Sequence, residues 1–218
     1  LRDADSDEVK GEAVVQANWR YLLDRANVPL NEDLDSQLER YVALIRQWNG
    51  LVSLVSQGDL LKLEENHIAD SLSLVPHVWR ACGMDGLLLD VGSGAGFPAL
   101  VLKMALPSLR VVLVERSDKK VGFLRTAVGT LRLDGVEIRC GEFPKVAEGL
   151  EPQALTARAV EKPERVLRDV SRWLPGGCTF LCQLGEPNFG QMFHVEHIED
   201  EWSESGIRRG ELYVVSRV

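Results

Sequence analysis

The chain reads as an α/β protein with a mostly parallel sheet flanked by helices. A C-terminal antiparallel hairpin closes the sheet, and a helical layer precedes it. Three observations predict this. From Leu87 onward, short apolar runs alternate with helix-length segments, the rhythm of a parallel sheet covered on both faces. The first run, Leu87-Leu88-Leu89-Asp90-Val91, passes into alternate glycines at Gly92, Gly94 and Gly96, then into the apolar stretch Ala99 to Ala105. The chain ends in two further strand-like runs joined by a polar loop, read as a closing hairpin.

Residues 1–12 hold Asp3, Asp5, Asp7, Glu8 and Glu12 among few apolar residues and read as a frayed acidic tail. From Ala13 to Ala26, Val14, Ala17, Tyr21 and Leu22 recur at helical spacing, and Val28-Pro29 ends that helix. Asn31 is a candidate N-cap for the next helix. There Leu34, Leu38, Tyr41, Val42, Ile45 and Trp48 form one apolar stripe, and Asn49-Gly50 supplies the stop. Core packing accounts for that stripe. A third helical region runs from about Asp59 to Val78, with a break at Pro76. The helical region thus occupies 13–85 and the sheet domain 86–218. In the latter, strands are expected at 87–91, 110–115, 136–140, 154–157 and 178–184, and helices at 97–105, 118–132 and 161–174. The closing strands are Phe193 to Ile198 and Leu212 to Val218, with Gly206 and Gly210 in the loop between them.

The net charge is −8, and it is unevenly placed. Residues 1–85 carry 8 Lys/Arg and 15 Asp/Glu, giving −7, whereas residues 86–218 carry 17 and 18, giving −1. A general nucleic-acid binder is usually basic; this balance leaves room only for a local basic face on the second part. No apolar run approaches the ~20 residues of a membrane span, and no basic-then-apolar leader is visible. Cys82, Cys140, Cys178 and Cys182 show no C-x-x-C spacing, and Cys140 and Cys178 lie in strand-like runs where buried, reduced thiols are usual. A cytoplasmic protein without disulfides or a membrane segment is expected, acting as a monomer.

A strand, a glycine-rich turn and a helix start make a ligand cradle, because glycine admits positive φ and lets backbone N–H groups approach a ligand. A dinucleotide fingerprint would need glycine where Phe97 stands, and no Lys-Ser or Lys-Thr follows as in a P-loop. The pattern D-x-G-x-G-x-G from Asp90 to Gly96 resembles motif I of the class I S-adenosylmethionine-dependent methyltransferases, whose Rossmann-like sheet also ends in an antiparallel hairpin. Val111-Val112-Leu113-Val114-Glu115 ends the second strand in an acid, where nucleoside-binding α/β folds hold both ribose hydroxyls. Cys140-Gly141-Glu142-Phe143-Pro144 closes the third strand, and its loop would border the adenine ring. His194-Val195-Glu196-His197 departs from the H-E-x-x-H spacing, and on a strand His194 and His197 point to opposite faces, so no metal is expected. His67 and His77 lie on helices, where packing or surface roles are usual.

A narrower resemblance covers roughly residues 35 to 185. Gly92 to Pro98 match G-S-G-x-G-F-P, and Arg158-Ala159 match a strand-end R-A. Trp48-Asn49 match an N-terminal W-N, and His67, Asp70, Ser71 and Leu72 match H-x-x-D-S-L. Glu115 with Lys119-Lys120 is similar to an acid followed by a basic pair, and Gly122-Phe123-Leu124 looks like R-F-L. The set resembles the ribosomal RNA small-subunit methyltransferase G family, also called glucose-inhibited division protein B. The resemblance implies transfer of methyl from S-adenosylmethionine to N7 of a guanine in 16S ribosomal RNA, within the small ribosomal subunit or its precursor. It implies cofactor contacts at Gly92, Phe97, the backbone of Phe143 and Pro144, and Arg158, and brings His67 and Asp70 near the cleft. Ser93, Gly94 and Gly96 of the turn, Glu115 and Glu142 complete the candidate cofactor set. Arg158 could instead hold a phosphate or position the base. No general base is assigned, because N7 carries a lone pair and no proton. Arg116, Lys119, Lys120 and Arg125 are the candidate RNA contacts. Departures from the family pattern are Ser53 and Val55 after the W-N, Glu142 where Arg is common, Pro144 and Lys145 where acids are common, and Leu184 where Lys is common. They leave open a methyltransferase acting on a small molecule or protein, and a binding module without activity.

Overall fold

The computed structural model describes residues 21, 23–25 and 31–218. The acidic tail at 1–12, the run holding Val14, Ala17 and Leu22, and the Val28-Pro29 stop lie outside the described residues. Tyr21 and residues 23–25 are helical, but Tyr21 faces outward at 60% exposure while Leu23 is fully buried. The inward residue of that turn is therefore Leu23, not Tyr21.

Helix α1 spans Leu34–Asn49 and buries Leu34, Leu38, Tyr41, Val42 and Ile45 along the expected stripe. Asn31 is not its N-cap. Asp33 holds that position, and Asn31 instead accepts a bond from the Asp33 amide (3.1 Å) and donates to Gln37 (2.8 Å) and to the Met104 carbonyl (3.2 Å). A side chain able to reach the neighbouring helix thus makes a long-range tie. The third helical region resolves into α2 (Gln57–Leu61), a π-helical segment (Glu64–Ala69), α3 (Asp70–Leu72) and α4 (Val75–Cys82). Pro76 starts α4 instead of breaking a helix, since a first-turn proline lacks only an N–H that has no intrahelical partner.

The sheet has seven strands in the order β3-β2-β1-β4-β5-β7-β6. They are β1 (Leu87–Val91), β2 (Arg110–Glu115), β3 (Val136–Cys140), β4 (Ala154–Arg158), β5 (Thr179–Gln183), β6 (Phe193–His197) and β7 (Tyr213–Arg217). β1 to β5 are parallel, and β7 pairs antiparallel with β5 and β6. Helices α5 (Ala99–Ala105), α6 (Asp118–Leu131) and α7 (Pro163–Trp173) follow β1, β2 and β4. This is the Rossmann-like class I methyltransferase fold. The strand alternation splits the core in two. Leu88, Val111, Leu113 and Leu181 face the N-terminal helices, α5 and α6. Leu89, Val91, Val112, Val114, Leu155 and Phe180 face Val166, Leu167 and Val170 of α7. Because Tyr41, Ile45 and Leu63 share the first core with Leu100 and Leu113, the N-terminal layer packs directly on the sheet domain.

The loop between β6 and β7 contains α8 (Glu201–Glu204), a helical turn that its polar composition hides. Asp200 caps it in a capping box, and buried Trp202 anchors it. Arg208 there is 4% exposed and donates to Asp200 at 2.7 Å. Together, the Arg208 guanidinium and hydrogen bonds from His77 and Ser203 hold the Asp200 carboxyl far below the usual range, against its own desolvation. The four cysteines are free, but Cys140 is exposed, because edge strand β3 leaves its side chain uncovered. Among the described residues no helix is long and apolar enough to cross a membrane.

Candidate functional site

β1 lies between β2 and β4, so the turn after it opens onto the carboxyl edge of the parallel sheet, where such folds bind ligands. The amides of Gly92 and Ser93 donate to the Val114 carbonyl (2.9 and 3.1 Å), which folds the turn over β2. Gly92 has φ +76°, and a Cβ there would lie 2.7 Å from Cγ1 of Val160. Glycine is what lets the loop after β4 close against the turn. At Gly94, with φ +56°, a Cβ would meet only the Gly92 carbonyl, at 3.8 Å, so this part of the turn faces open space. Glu115 is 6% exposed; its carboxylate accepts from the Gly94 amide (2.9 Å) and the Ser117 amide (2.8 Å).

These elements bound a cleft of about 800 Å³, solvent-facing space included. Val91, Val114, Phe143, Val160 and Val166 form its apolar walls, and Gly92, Glu115 and Gly141 contribute polar and backbone surface. At the mouth Arg116 pairs with Glu161, and Arg165 pairs with Glu142 at 3.2 Å. Apolar walls with one buried carboxylate suit a flat heterocycle joined to a sugar with two hydroxyls.

Of the candidate residues, Gly92, Glu115, Glu142, Phe143, Arg116 and Lys120 line this cleft. Ser93 is buried and donates to the Asp90 carbonyl (3.2 Å), and Gly96 packs against Leu100 and Tyr41. Pro144 precedes a short 3₁₀ turn, while Lys119 and Arg125 are exposed outside the cleft lining. Phe97 points into the protein, stacked on His67 (4.9 Å) and tilted against Tyr41 (5.4 Å). Tyr41 in turn donates to the Ala95 carbonyl inside the turn. His197 lies tilted against Tyr213 (4.9 Å between ring centres).

Arg158 departs most from the expected arrangement. Its guanidinium does not line the cleft; it enters a polar cluster at the carboxyl ends of β4 and β5. It pairs with Asp70 at 2.9 Å and donates to the Asn66 carbonyl (2.9 Å) and to Nδ1 of His67 (2.8 Å). Asp70 also accepts from Gln183 (3.3 Å) and from the Arg209 amide (2.6 Å). Burial pushes the Asp70 carboxyl up, opposed by Arg158 and those hydrogen bonds. Burial, reinforced by Arg158, pushes His67 down to about 4, so its imidazole is neutral near pH 7.

The rRNA small subunit methyltransferase G model matches residues 34–193. The chain belongs to this family. A relative from Erythrobacter litoralis, named ribosomal RNA small subunit methyltransferase G, is 36% identical over 170 residues, covering 73% of this chain and 80% of that protein. One of the same name from Myxococcus xanthus is 36% identical over 168 residues, covering 73% of each. A third, from Desulfotalea psychrophila, is 38% identical over 137 residues, and the chain spans 61% of its length. Among solved structures, a mutant of MtNAS in complex with S-adenosylmethionine superposes with a TM-score of 0.58 at 19% identity, covering 91% of this chain and 82% of that one. That likeness concerns the fold. S-adenosylmethionine is the cofactor of this family member, and the cleft's buried acid, glycine turn and apolar walls fit it.

The family's W-N acquires a physical role here. Asn49, 6% exposed, accepts the amides of Leu54 and Val55 (both 2.9 Å) and so folds the loop after α1, while Trp48 packs edge-on against Phe123 of α6. Sequence reasoning missed Asp59, Asn66, Gln183 and Arg209 in the polar cluster. They are scattered polar residues with no shared spacing; the pairing of β4 with β5 brings Gln183 beside Arg158, while the packing of the N-terminal helices and of the loop before β7 brings the others.

Proposed function

We infer that this protein transfers the methyl group of S-adenosylmethionine to N7 of a guanine in 16S ribosomal RNA. Family membership across residues 34–193, joined to the cleft at the carboxyl edge of β1, β2 and β4, carries this reading. The bound cofactor supplies an electrophilic methyl on a sulfonium; guanine N7 donates its lone pair to that carbon as the sulfur–carbon bond breaks, leaving N7-methylguanine and S-adenosylhomocysteine. N7 has no proton to lose, so the chain's residues bind and align instead of moving protons. In this reading Glu115 holds the ribose hydroxyls, and Phe143, Val91 and Val114 pack against the adenine; their shared place in the cleft lining supports it. The backbone of Gly92 to Gly94 leaves room for the methionine portion.

The RNA is presented within the small subunit or a late precursor, not as a free strand. Free-strand affinity rests largely on phosphate neutralisation, which a chain of net charge −8 opposes except locally. Exposed Lys119 and Arg125, with Lys120 and Arg116 at the cleft, form that local basic face, although Glu161 partly neutralises Arg116. A splayed loop base can then enter beside the cofactor. The test is transfer of labelled methyl to unmodified small subunits and to the isolated loop oligonucleotide at matched salt. Subunits should react far faster, and Lys119→Ala with Arg125→Ala, both outside the cleft lining, should slow that reaction while cofactor affinity stays unchanged. Equal rates on both substrates overturn the particle requirement; no transfer to either overturns the RNA reading.

A further inference from the structure

Beside the cleft, two consecutive residues carry buried hydrogen-bonding atoms that no group of the described protein meets: Oδ1 of Asn66 and Nε2 of His67. A buried polar atom without a partner is costly, and such atoms are few in native proteins, so each calls for an explanation. Both have a fixed hydrogen-bonding sense. Asn66 donates through Nδ2 to the Asp59 carboxylate at 2.9 Å, which sets the amide and leaves its oxygen as the free end. Arg158 has only donors, and its Nη2 lies 2.8 Å from Nδ1 of His67. Nδ1 therefore accepts, and the neutral ring carries its hydrogen on Nε2. The pair offers one acceptor and one donor.

The surroundings place this pair where a substrate is expected. His67 stacks on Phe97, which directly follows the glycine turn. Arg158 ends β4, and the next two residues, Ala159 and Val160, line the cleft. Both reading atoms sit on the π-helical segment Glu64–Ala69, a conformation frequent at functional sites. The cover is thin. Asp59 belongs to α2, which has no buried residue, and its carboxylate stands 3.7 Å from Nε2, too far for a hydrogen bond.

We propose that Asn66 and His67 read the edge of the target guanine once α2 moves aside, His67 donating to O6 and Asn66 accepting from N1–H. This rests on the guanine-N7 reading above. Guanine presents O6 and N1–H side by side, and O6 neighbours the N7 that must face the methyl. Adenine held in the same pose would set its amino group against the His67 N–H and its N1 against the Asn66 oxygen. Donor would face donor and acceptor would face acceptor, which a buried site rejects strongly.

The experiment uses small subunits reconstituted with 16S RNA carrying guanosine, inosine or 2-aminopurine riboside at the target position. Inosine keeps N7, O6 and N1–H; 2-aminopurine keeps N7 but lacks O6 and N1–H. Single-turnover methyl transfer is measured for the wild-type protein, His67→Phe (which keeps the stack on Phe97) and Asn66→Leu. The wild type should accept guanosine and inosine alike and disfavour 2-aminopurine. Each variant should lose roughly 10- to 100-fold on guanosine, with the guanosine-to-2-aminopurine ratio falling toward one and calorimetric affinity for S-adenosylhomocysteine unchanged. His67→Gln, which retains an N–H donor, should recover part of the rate and serves if His67→Phe does not fold. A uniform slowing on all three bases, or an unchanged ratio, overturns the proposal and leaves the function standing. No transfer by the wild type to guanosine subunits overturns the function itself.

Discussion

The cleft and the polar cluster beside it sit at the same edge of one sheet and are built on opposite principles. The cleft is assembled largely at strand ends: Gly92 after β1, Glu115 closing β2, the loop from Gly141 after β3 and the loop from Ala159 after β4. It offers a ligand backbone, apolar walls and one buried acid, with most of its other charges at an exposed mouth. The cluster draws Asp70, Arg158, Gln183 and Arg209 from four distant places, and its central ion pair is buried, with side chains 1% and 12% exposed. A site made mostly of backbone tolerates change in its surroundings. Buried charges do not, because each must be offset by a specific partner.

Breaking the cluster should therefore have the largest effect. Arg158→Met leaves Asp70 buried with only its two neutral donors, and removing one partner of a buried pair costs about 3–5 kcal/mol. Urea unfolding of the purified protein measures this, and a loss below about 1 kcal/mol, the worth of an exposed pair, would show that the pair is not buried in solution. At the cleft, Glu115→Gln keeps size but removes a charged acceptor of two backbone amides and, on the proposed function, of the ribose hydroxyls. Cofactor affinity should weaken by about 1.5–3 kcal/mol, and stability should change less than in Arg158→Met. Calorimetry against S-adenosylhomocysteine checks it; unchanged affinity would remove the acid from the cofactor site.

The smallest effect separates the two regions by pH. Beneath the turn, burial pushes Asp90 up to about 7, although Thr156 donates to it at 2.7 Å. Its folded value lies above the unfolded value of about 3.9, so its contribution to stability is full below about pH 4 and is lost as pH rises through about 7. In the cluster His67 lies at about 4, below the unfolded value of about 6.5. Its contribution is full above about pH 6.5 and is lost as pH falls through about 4. The two slopes oppose each other over the same window. Asp90→Asn should unmask the His67 slope, so that stability rises between pH 4.5 and 6.5 by at most about 1.4 kcal/mol per pH unit. Burial also raises Asp70, which opposes His67 in the same window, so urea midpoints are compared with those of Asp90→Asn carrying His67→Phe, and identical pH profiles would exclude a neutral buried His67.

What the sequence determined by itself was whatever local spacing can encode. Three of the five parallel strands begin and end at the expected residues, and β4 differs only by including Arg158. The turn at Gly92 to Pro98 and the acid at Glu115 were legible because a positive-φ turn and a strand-end carboxylate leave marks in consecutive residues. Tertiary structure alone decided the directions of side chains whose partners lie far along the chain. Arg158 turned from the cleft to Asp70, Phe97 to His67, and Asn31 from its cap to the Met104 carbonyl. Arg208 became a buried anchor for a loop that reads as solvated. The physical reason is common to the three polar ones, while Phe97 follows an aromatic partner that lies far along the chain. An apolar strand or a glycine turn meets its requirements within a few residues, whereas a polar side chain follows whichever unpaired group the folded chain brings to it.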